Sequence, residues 1–337
     1  MVVYRYLLSA CLLALATAGL QAQDLRPLSL GDSLGVRSAT GDFTAKTVGV
    51  KVYGGIVSAE SCVVDEDRDL IIILNRGVDQ QVRPNDAWFA LLHADATVHT
   101  PYWIGSNPPG DRTATEPALV LNDPLGSELA NGVLYAADWD GGTQDTPQRS
   151  GVLRRFDVLT GAPLGNVPMP GAPWINDLAV AEDGTIYVTQ TGEFGEDADP
   201  MSWRVWRILP DETVEVFAEG PPLFQPNGVT FDQDGNLVVV NVGDPKVFTY
   251  SPEGELLKTE EAAQAGSDGI VVLPDGTKYV CSVTQGGVSR IAPGRPAELI
   301  AEGVAGAASM CYDAKRNRLL IPMTSQSGLA VIELDEE

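Results

Sequence analysis

Pro226-Asn227-Gly228-Val229-Thr230-Phe231-Asp232-Gln233-Asp234-Gly235-Asn236-Leu237-Val238-Val239-Val240 is a short strand, an Asp-Gly turn, and a β-branched run that reads as a second strand. The unit recurs. Ile175-Asn176-Asp177, running on through Gly184 to Val188, stands 51 residues earlier, and Ser267-Asp268-Gly269, running on through Gly276 to Val280, stands 41 residues later. In all three copies the turn Gly follows the Asn or Asp by eight residues, so they align without a gap. Two weaker copies keep the register, from Glu60 to Asp65 and from Ala308 to Asp313. A sixth, irregular unit is read from Glu116-Pro117-Ala118-Leu119-Val120-Leu121, followed by an insertion and then Gly132-Val133-Leu134-Tyr135.

Each unit continues into a third strand, as at Lys246–Tyr250 and Gly287–Ile291. Several short strands per unit of forty-odd residues, repeated six times, predict an all-β chain folded as a six-bladed β-propeller over residues 46–337. Leftover strands near Thr47–Tyr53 and Leu329–Leu334 are expected to share one blade and close the ring. No stretch is periodic enough to argue for a helical layer.

Ahead of the repeats, Arg5, an apolar run from Leu7 to Leu20 and small residues around Ala22 have the layout of a cleaved signal peptide over residues 1–22. Residues 23–45 read as a flexible lead-in. The expectation is an exported protein, periplasmic or secreted, with no membrane span, because the apolar run is too short for one.

The chain carries 22 basic and 46 acidic residues, a formal charge of −24. Phosphate backbones need basic clusters, so nucleic acid is excluded as a partner. The acidic surface serves solubility and favours cations. Of four cysteines, Cys11 lies in the leader, and Cys62, Cys281 and Cys311 lie in apolar strand-like runs where buried thiols are ordinary. A Cys62–Cys311 bridge is possible, and one of the three must stay unpaired within the chain.

The first strand of each propeller blade lines the central channel, so one offset in successive blades means one height around one axis. At that offset stand Glu60, Glu116, Asn176, Asn227, Asp268 and Ala308. Five of the six carry a side-chain oxygen, which fits either a water-filled polar channel or a bound cation. Carboxylates and amide carbonyls form a hard, all-oxygen set suited to calcium, and no His or Cys shares the register as a typical zinc site would require.

These residues resemble the senescence-marker-protein/gluconolactonase/luciferin-regenerating-enzyme family, six-bladed propellers that include calcium- or zinc-dependent lactonases. The resemblance covers roughly residues 50–335. It implies one divalent metal, calcium first with zinc, magnesium or manganese as alternatives, held by Glu60, Asn176, Asn227 and Asp268. It also implies a hydrolase that opens lactones or related small-molecule esters, the metal polarising the carbonyl and Asp268 activating water or attacking directly. The chain departs from the sugar-lactonase pattern at Trp174, where those members often have Arg, and at Leu178, where they have Gly. Trp174 and Glu116 are therefore read as candidate substrate-binding residues for a more apolar ligand.

A phosphotriesterase-like hydrolase and a non-catalytic, metal-stabilised binding propeller are the alternative readings. A serine hydrolase lacks its Gly-x-Ser-x-Gly elbow. His93 and His99 are placed on an outer strand. Asp138-Trp139-Asp140 and Glu193–Asp199 read as solvated acidic loops. Insertions near 101–115, 139–150 and 192–204 are the segments expected to cover the channel.

Overall fold

The computed structural model describes residues 50–54, 56–76, 85–105, 117–140 and 150–334. The expected signal peptide, the lead-in, Glu116 and most of the first two insertions lie outside the described residues. Among the described residues, twenty-four strands form six four-stranded antiparallel sheets. The first blade holds β2 (Ala59–Asp65), β3 (Leu70–Asn75), β4 (Trp88–His93) and β5 (Val98–Ile104). The second holds β6 (Ser127–Ala130), β7 (Val133–Asp140), β8 (Ser150–Asp157) and β9 (Pro163–Met169). The third holds β10 (Ile175–Val180), β11 (Ile186–Gln190), β12 (Arg204–Ile208) and β13 (Val214–Glu219). The fourth runs through β14 (Pro226–Phe231), β15 (Leu237–Asn241), β16 (Lys246–Tyr250) and β17 (Leu256–Glu261). The fifth runs through β18 (Ser267–Val272), β19 (Lys278–Ser282), β20 (Val288–Ile291) and β21 (Glu298–Ala301).

The last blade is built from both ends of the described chain. Its strands are β22 (Cys311–Asp313), β23 (Arg318–Met323), β24 (Gly328–Glu333) and, outermost, β1 (Val50–Gly54), with Val50 opposite Ile332 and Gly54 opposite Gly328. The innermost strands pack in a ring, β2 on β6, β6 on β10, β10 on β14, β14 on β18, β18 on β22 and β22 back on β2. The molecule is the six-bladed propeller the repeats predict. No helix among the described residues is long and apolar enough to cross a membrane.

Local chemistry accounts for the blades. Gly184, Gly235 and Gly276 occupy the turns at φ of +89°, +77° and +85°, a region where a side chain is strained, so the eight-residue spacing marks where each hairpin must reverse. Both faces of each sheet pack on neighbouring blades, and central strands such as β15 are therefore buried along their whole length. Val229, Leu237, Val239 and Phe248 pack against Ala179, Tyr187 and Val205 of the third blade. Val238, Val240 and Val247, on the opposite face, pack against Val280 and Ile291 of the fifth. Each fully buried side chain of this size contributes about 1.5–3 kcal/mol, and the polar outer strand β17 ends the layer in solvent.

The structure corrects the reading of the second blade. Its innermost strand is β6, which turns through Asn131-Gly132 into β7, so the insertion precedes the first strand instead of following it. Residues 117–126 carry no strand. Asp138-Trp139-Asp140 is likewise no solvated loop. It ends β7, and fully buried Arg154 of β8 donates from Nε to Asp138 at 2.9 Å and from Nη2 to Asp140 at 2.5 Å. Glu193–Asp199 is an exposed loop, as read. His93 ends β4 and His99 sits on β5, their rings 4.9 Å apart and away from the channel strands.

The seam between first and last blades is closed covalently. Cys62 of β2 and Cys311 of β22 form a disulfide with a Cα–Cα separation of 5.7 Å. Arg316 clasps Asp69 with both Nη atoms, at 2.9 and 2.7 Å. Cys281 remains a free, buried thiol.

Candidate functional site

Glu60, Asn176, Asn227 and Asp268 are each the second residue of an innermost strand, β2, β10, β14 and β18. Strand pairing is interrupted by a bulge at this level in all four blades, between Ala59 and Ser61, Ile175 and Leu178, Pro226 and Val229, and Ser267 and Ile270. A bulge frees a residue from the ladder and re-aims its side chain. Gly228, within the third of these bulges, lies against the next blade so closely that a Cβ there would collide with the Asp268 carbonyl oxygen.

The amides are held by their NH₂ groups. Asn227 donates from Nδ2 to Asp268 Oδ2 at 3.1 Å, and Asn176 donates from Nδ2 to Thr191 Oγ1 at 3.0 Å. Thr191 in turn donates to the Pro226 carbonyl at 3.0 Å, and Thr189 donates to the Asn227 carbonyl at 2.5 Å, so the third blade braces the fourth. Asn227 Oδ1 and Glu60 Oε2 are buried and accept no hydrogen bond. Buried oxygens without donors are rare and require an explanation.

Charge is unevenly balanced here. Burial, then the charges of Glu60 and Asp177, pushes the Asp268 carboxyl well above its ordinary range. Burial also raises Glu60, against the opposing pull of Arg76. Arg76, just past β3, stands with Nη1 3.7 Å from Glu60 Oε2 while Nε and Nη2 clamp Asp123 at 2.6 and 3.0 Å. Asp123 is fixed through its backbone N–H, which donates to Asp138 Oδ1 at 2.9 Å. The chain Glu60, Arg76, Asp123, Asp138 and Arg154 thus links the channel mouth to the interior of the second blade.

Below this level, Asp177 spans the channel. Its Oδ2 accepts from Val229 N at 3.3 Å and from Ser309 Oγ of the last blade at 3.4 Å. A cavity of about 250 Å³ in the channel is lined by Cys62, Ser127, Glu128, Asp177, Ile270 and Ser309. Burial pushes Asp177 up to about 7, and burial followed by the Asp177 charge pushes Glu128 up to about 8. A larger concavity of about 410 Å³ lies at the seam by Asp95, Arg316 and Arg318, whose guanidiniums are already paired with Asp69 and Asp313.

The raised carboxyls make stability fall with pH. A folded pKa above the unfolded one contributes stability that is complete below the unfolded value, near 4, and is lost as pH rises through the folded value. For Asp177 and Glu128 that window runs to about 7 and about 8. Urea unfolding of chelator-treated protein is expected to show stability declining from pH 5.5 to 8.5, by up to about 1.4 kcal/mol per pH unit for each group. Glu128→Gln is expected to flatten the upper part of that decline; an unchanged slope rejects the assignment.

The four residues read from the sequence occupy the same position on four innermost strands, and two of them, Asn227 and Asp268, are in direct contact. Trp174 is half-buried two residues before Asn176, its ring 6.2 Å from that of Trp139 in an edge-on contact. Arg76, Asp123 and Asp177 escaped sequence reasoning. The available signals were weak: a cation directly after the apolar strand Leu70–Asn75, and an Asp beside Asn176.

A six-bladed propeller with oxygen-bearing side chains from four blades at one end of its innermost strands belongs to the class of propellers that present a polar site on the channel axis. More particularly, residues 172–325 match the SMP-30/Gluconolactonase/LRE-like region family, in agreement with the resemblance read from the sequence. No curated protein matches the chain by sequence. Among solved structures, a gluconolactonase from Xanthomonas campestris is similar at 17% identity and a TM-score of 0.57, covering 92% of this chain and 97% of that one. Virginiamycin B lyase from Staphylococcus aureus is similar at 13% identity and a TM-score of 0.55, covering 85% of this chain and all of the other. A Bacteroides thetaiotaomicron protein of unknown function aligns at 11% identity and a TM-score of 0.58, covering 91% of this chain and 75% of that one. At these identities the likeness establishes the fold.

Proposed function

We propose that this protein is a metal-dependent hydrolase that opens lactones or related esters, with one divalent cation, calcium first, held by Glu60, Asn176, Asn227 and Asp268. The observation that carries the reading is a pair of buried oxygens that accept no hydrogen bond, Asn227 Oδ1 and Glu60 Oε2, the latter facing the Arg76 guanidinium at 3.7 Å, at the same strand position as Asp268. These residues fit a cation. Two carboxylates and two amide carbonyls are hard ligands with two negative charges, and the amide nitrogens are already engaged by the protein. No cluster of three His, Cys, Asp or Glu side chains is placed to hold a metal among the described residues, so the amides are essential to the set. The family match over residues 172–325 supports the lactonase class.

When bound, the cation supplies Lewis-acid polarisation of the ester carbonyl and charge for the developing oxyanion. Beside a dication the Asp268 carboxyl returns to its ionised form. Asp268 then takes a proton from water as the water oxygen bonds to the acyl carbon, the ring acyl C–O bond breaks, and the proton passes to the departing alkoxide. Direct attack by an Asp268 oxygen on the acyl carbon, with the ring acyl C–O bond breaking to free the alkoxide, gives a mixed anhydride; water cleaves it, restoring the Asp268 carboxylate and supplying the proton the alkoxide takes up, and the same hydroxy acid results. Asn227 fixes which carboxylate oxygen stays engaged. The Cys62–Cys311 disulfide suits an oxidising compartment and supports the reading of an exported protein, periplasmic or secreted.

The test is cation dependence of both stability and turnover. Calcium added to chelator-treated protein is expected to stabilise it by about 4 kcal/mol at a thousandfold excess over Kd, and to restore acid release from a lactone panel. Absence of any thermal shift with calcium, zinc, magnesium or manganese rejects the metal site. Stabilisation without turnover selects the binding propeller, and faster turnover of a phosphofluoridate selects the phosphotriesterase-like reading.

A further inference from the structure

Four large apolar side chains lie at the junction of the third and fourth blades, outside the candidate cation site. The loop between β11 and β12 carries Phe194, Met201 and Trp203, and the segment leading into β14 carries Phe224. Phe194 is 63% exposed, Met201 43% and Phe224 37%. Single exposed apolar residues need no explanation, but a group of them on two adjoining segments marks an interaction surface or a ligand groove.

The patch is built and not merely frayed. The rings of Trp203 and Phe224 stand 4.8 Å apart. Phe224 lies over Gly243, where any Cβ would press into its ring. Trp203 Nε1 and Gln225 Nε2 both donate to the Glu193 carbonyl at 3.2 Å, Gln190 Nε2 donates to the Ser202 carbonyl at 2.7 Å, and Gly220 N donates to the Trp203 carbonyl at 2.9 Å. The two segments are thereby tied to one another. They are also tied to the candidate site: Phe224 precedes Asn227 by three residues, and the loop begins at Thr191, which holds both Asn176 and the Pro226 carbonyl.

Resting on the lactone-hydrolase reading, we propose that the substrate is a lactone bearing an apolar alkyl or aryl substituent, seated on Phe194, Met201, Trp203 and Phe224 while the ring reaches the channel mouth. The one polar group among the four side chains, the Trp203 indole N–H, is already given to Glu193, so the patch has no donor left for a sugar hydroxyl. The same exposed loop carries Glu193, Glu196, Asp197 and Asp199. Their field tolerates a neutral lactone and repels the hydroxycarboxylate formed by ring opening, which favours product release.

The test compares γ-lactones of one ring carrying hydrogen, butyl, hexyl or phenyl substituents, together with gluconolactone, in the calcium-loaded protein. Expected is a rise in kcat/KM of tenfold or more from the unsubstituted to the hexyl ring, with gluconolactone below both. Met201→Ser combined with Phe224→Ser is expected to abolish the rise. A hexyl-substituted lactam, which resists hydrolysis, is expected to quench tryptophan fluorescence in the parent and not in the double variant. Hydrolysis without chain-length preference, or a preference untouched by the double variant, overturns the substrate assignment alone. No hydrolysis of any lactone overturns the hydrolase reading and this assignment with it. Self-association that disappears in the double variant, with lactone preference unchanged, identifies the patch as a contact between copies of the chain and overturns the proposal.

Discussion

Asp268→Asn is expected to lower lactone hydrolysis by roughly 10³-fold or more, because it exchanges a charged cation ligand for a neutral one and removes the group that handles the proton. The substitution keeps an oxygen able to accept from Asn227 Nδ2, so the pairing between β14 and β18 survives. In chelator-treated protein the same change is expected to raise stability. Asp268 is buried beside Glu60 and Asp177, and without a cation its ionised form is opposed by burial and by both of those charges. A variant that is more stable without calcium, less responsive to it and inactive identifies Asp268 as a group kept for function at a cost to folding. Undiminished hydrolysis, measured as acid release at saturating calcium, removes Asp268 from the reaction; a variant no more stable than the parent in chelator removes the electrostatic argument.

Replacing Cys62 and Cys311 together by alanine is expected to cost on the order of 5 kcal/mol, since the bridge closes a span of 249 residues and shortens the unfolded chain's reach. The melting temperature is expected to fall by about 10 °C. The location of the bridge makes the loss local as well as global. Cys62 lies two residues beyond Glu60 on β2, and Cys311 lies on the innermost strand of the last blade. Loosening this seam frees β2 to shift and is expected to weaken calcium binding in the same variant. Urea unfolding and calcium titration of parent and double variant decide the matter. A stability difference below about 1 kcal/mol would show that the β1–β24 pairing and the Arg316–Asp69 clasp close the ring unaided.

Much of the fold was legible because its signals are local. The eight-residue step from Asn227 to Gly235, repeated from Asn176 and from Asp268, specifies where a strand begins and where the hairpin must turn, and both depend on neighbours in the chain. The all-apolar run Leu237–Val240 announces a strand buried on both faces. The second blade was misplaced, despite the Asn131-Gly132 hairpin signal, because its innermost strand has only four residues, too few for a pattern to stand out against the preceding apolar segment Glu116–Leu121. Asp138 and Asp140 looked like a solvated loop because nothing in the sequence says that Arg154, on the following strand, will be buried between them.

By itself the sequence determined the repeat, the six-blade architecture and the common register of Glu60, Asn176, Asn227 and Asp268, since in a closed ring of like units equal offset means equal height. Only the tertiary structure decided what faces them. Arg76 reaches Glu60 while clamping Asp123 from the next blade, Asp177 crosses to Ser309 over 132 residues, and Cys62 finds Cys311 over 249. Such contacts arise when the ring closes and apolar burial brings distant strands together; the chain carries no local record of them, because the residues that meet share no turn, no period and no neighbour before folding.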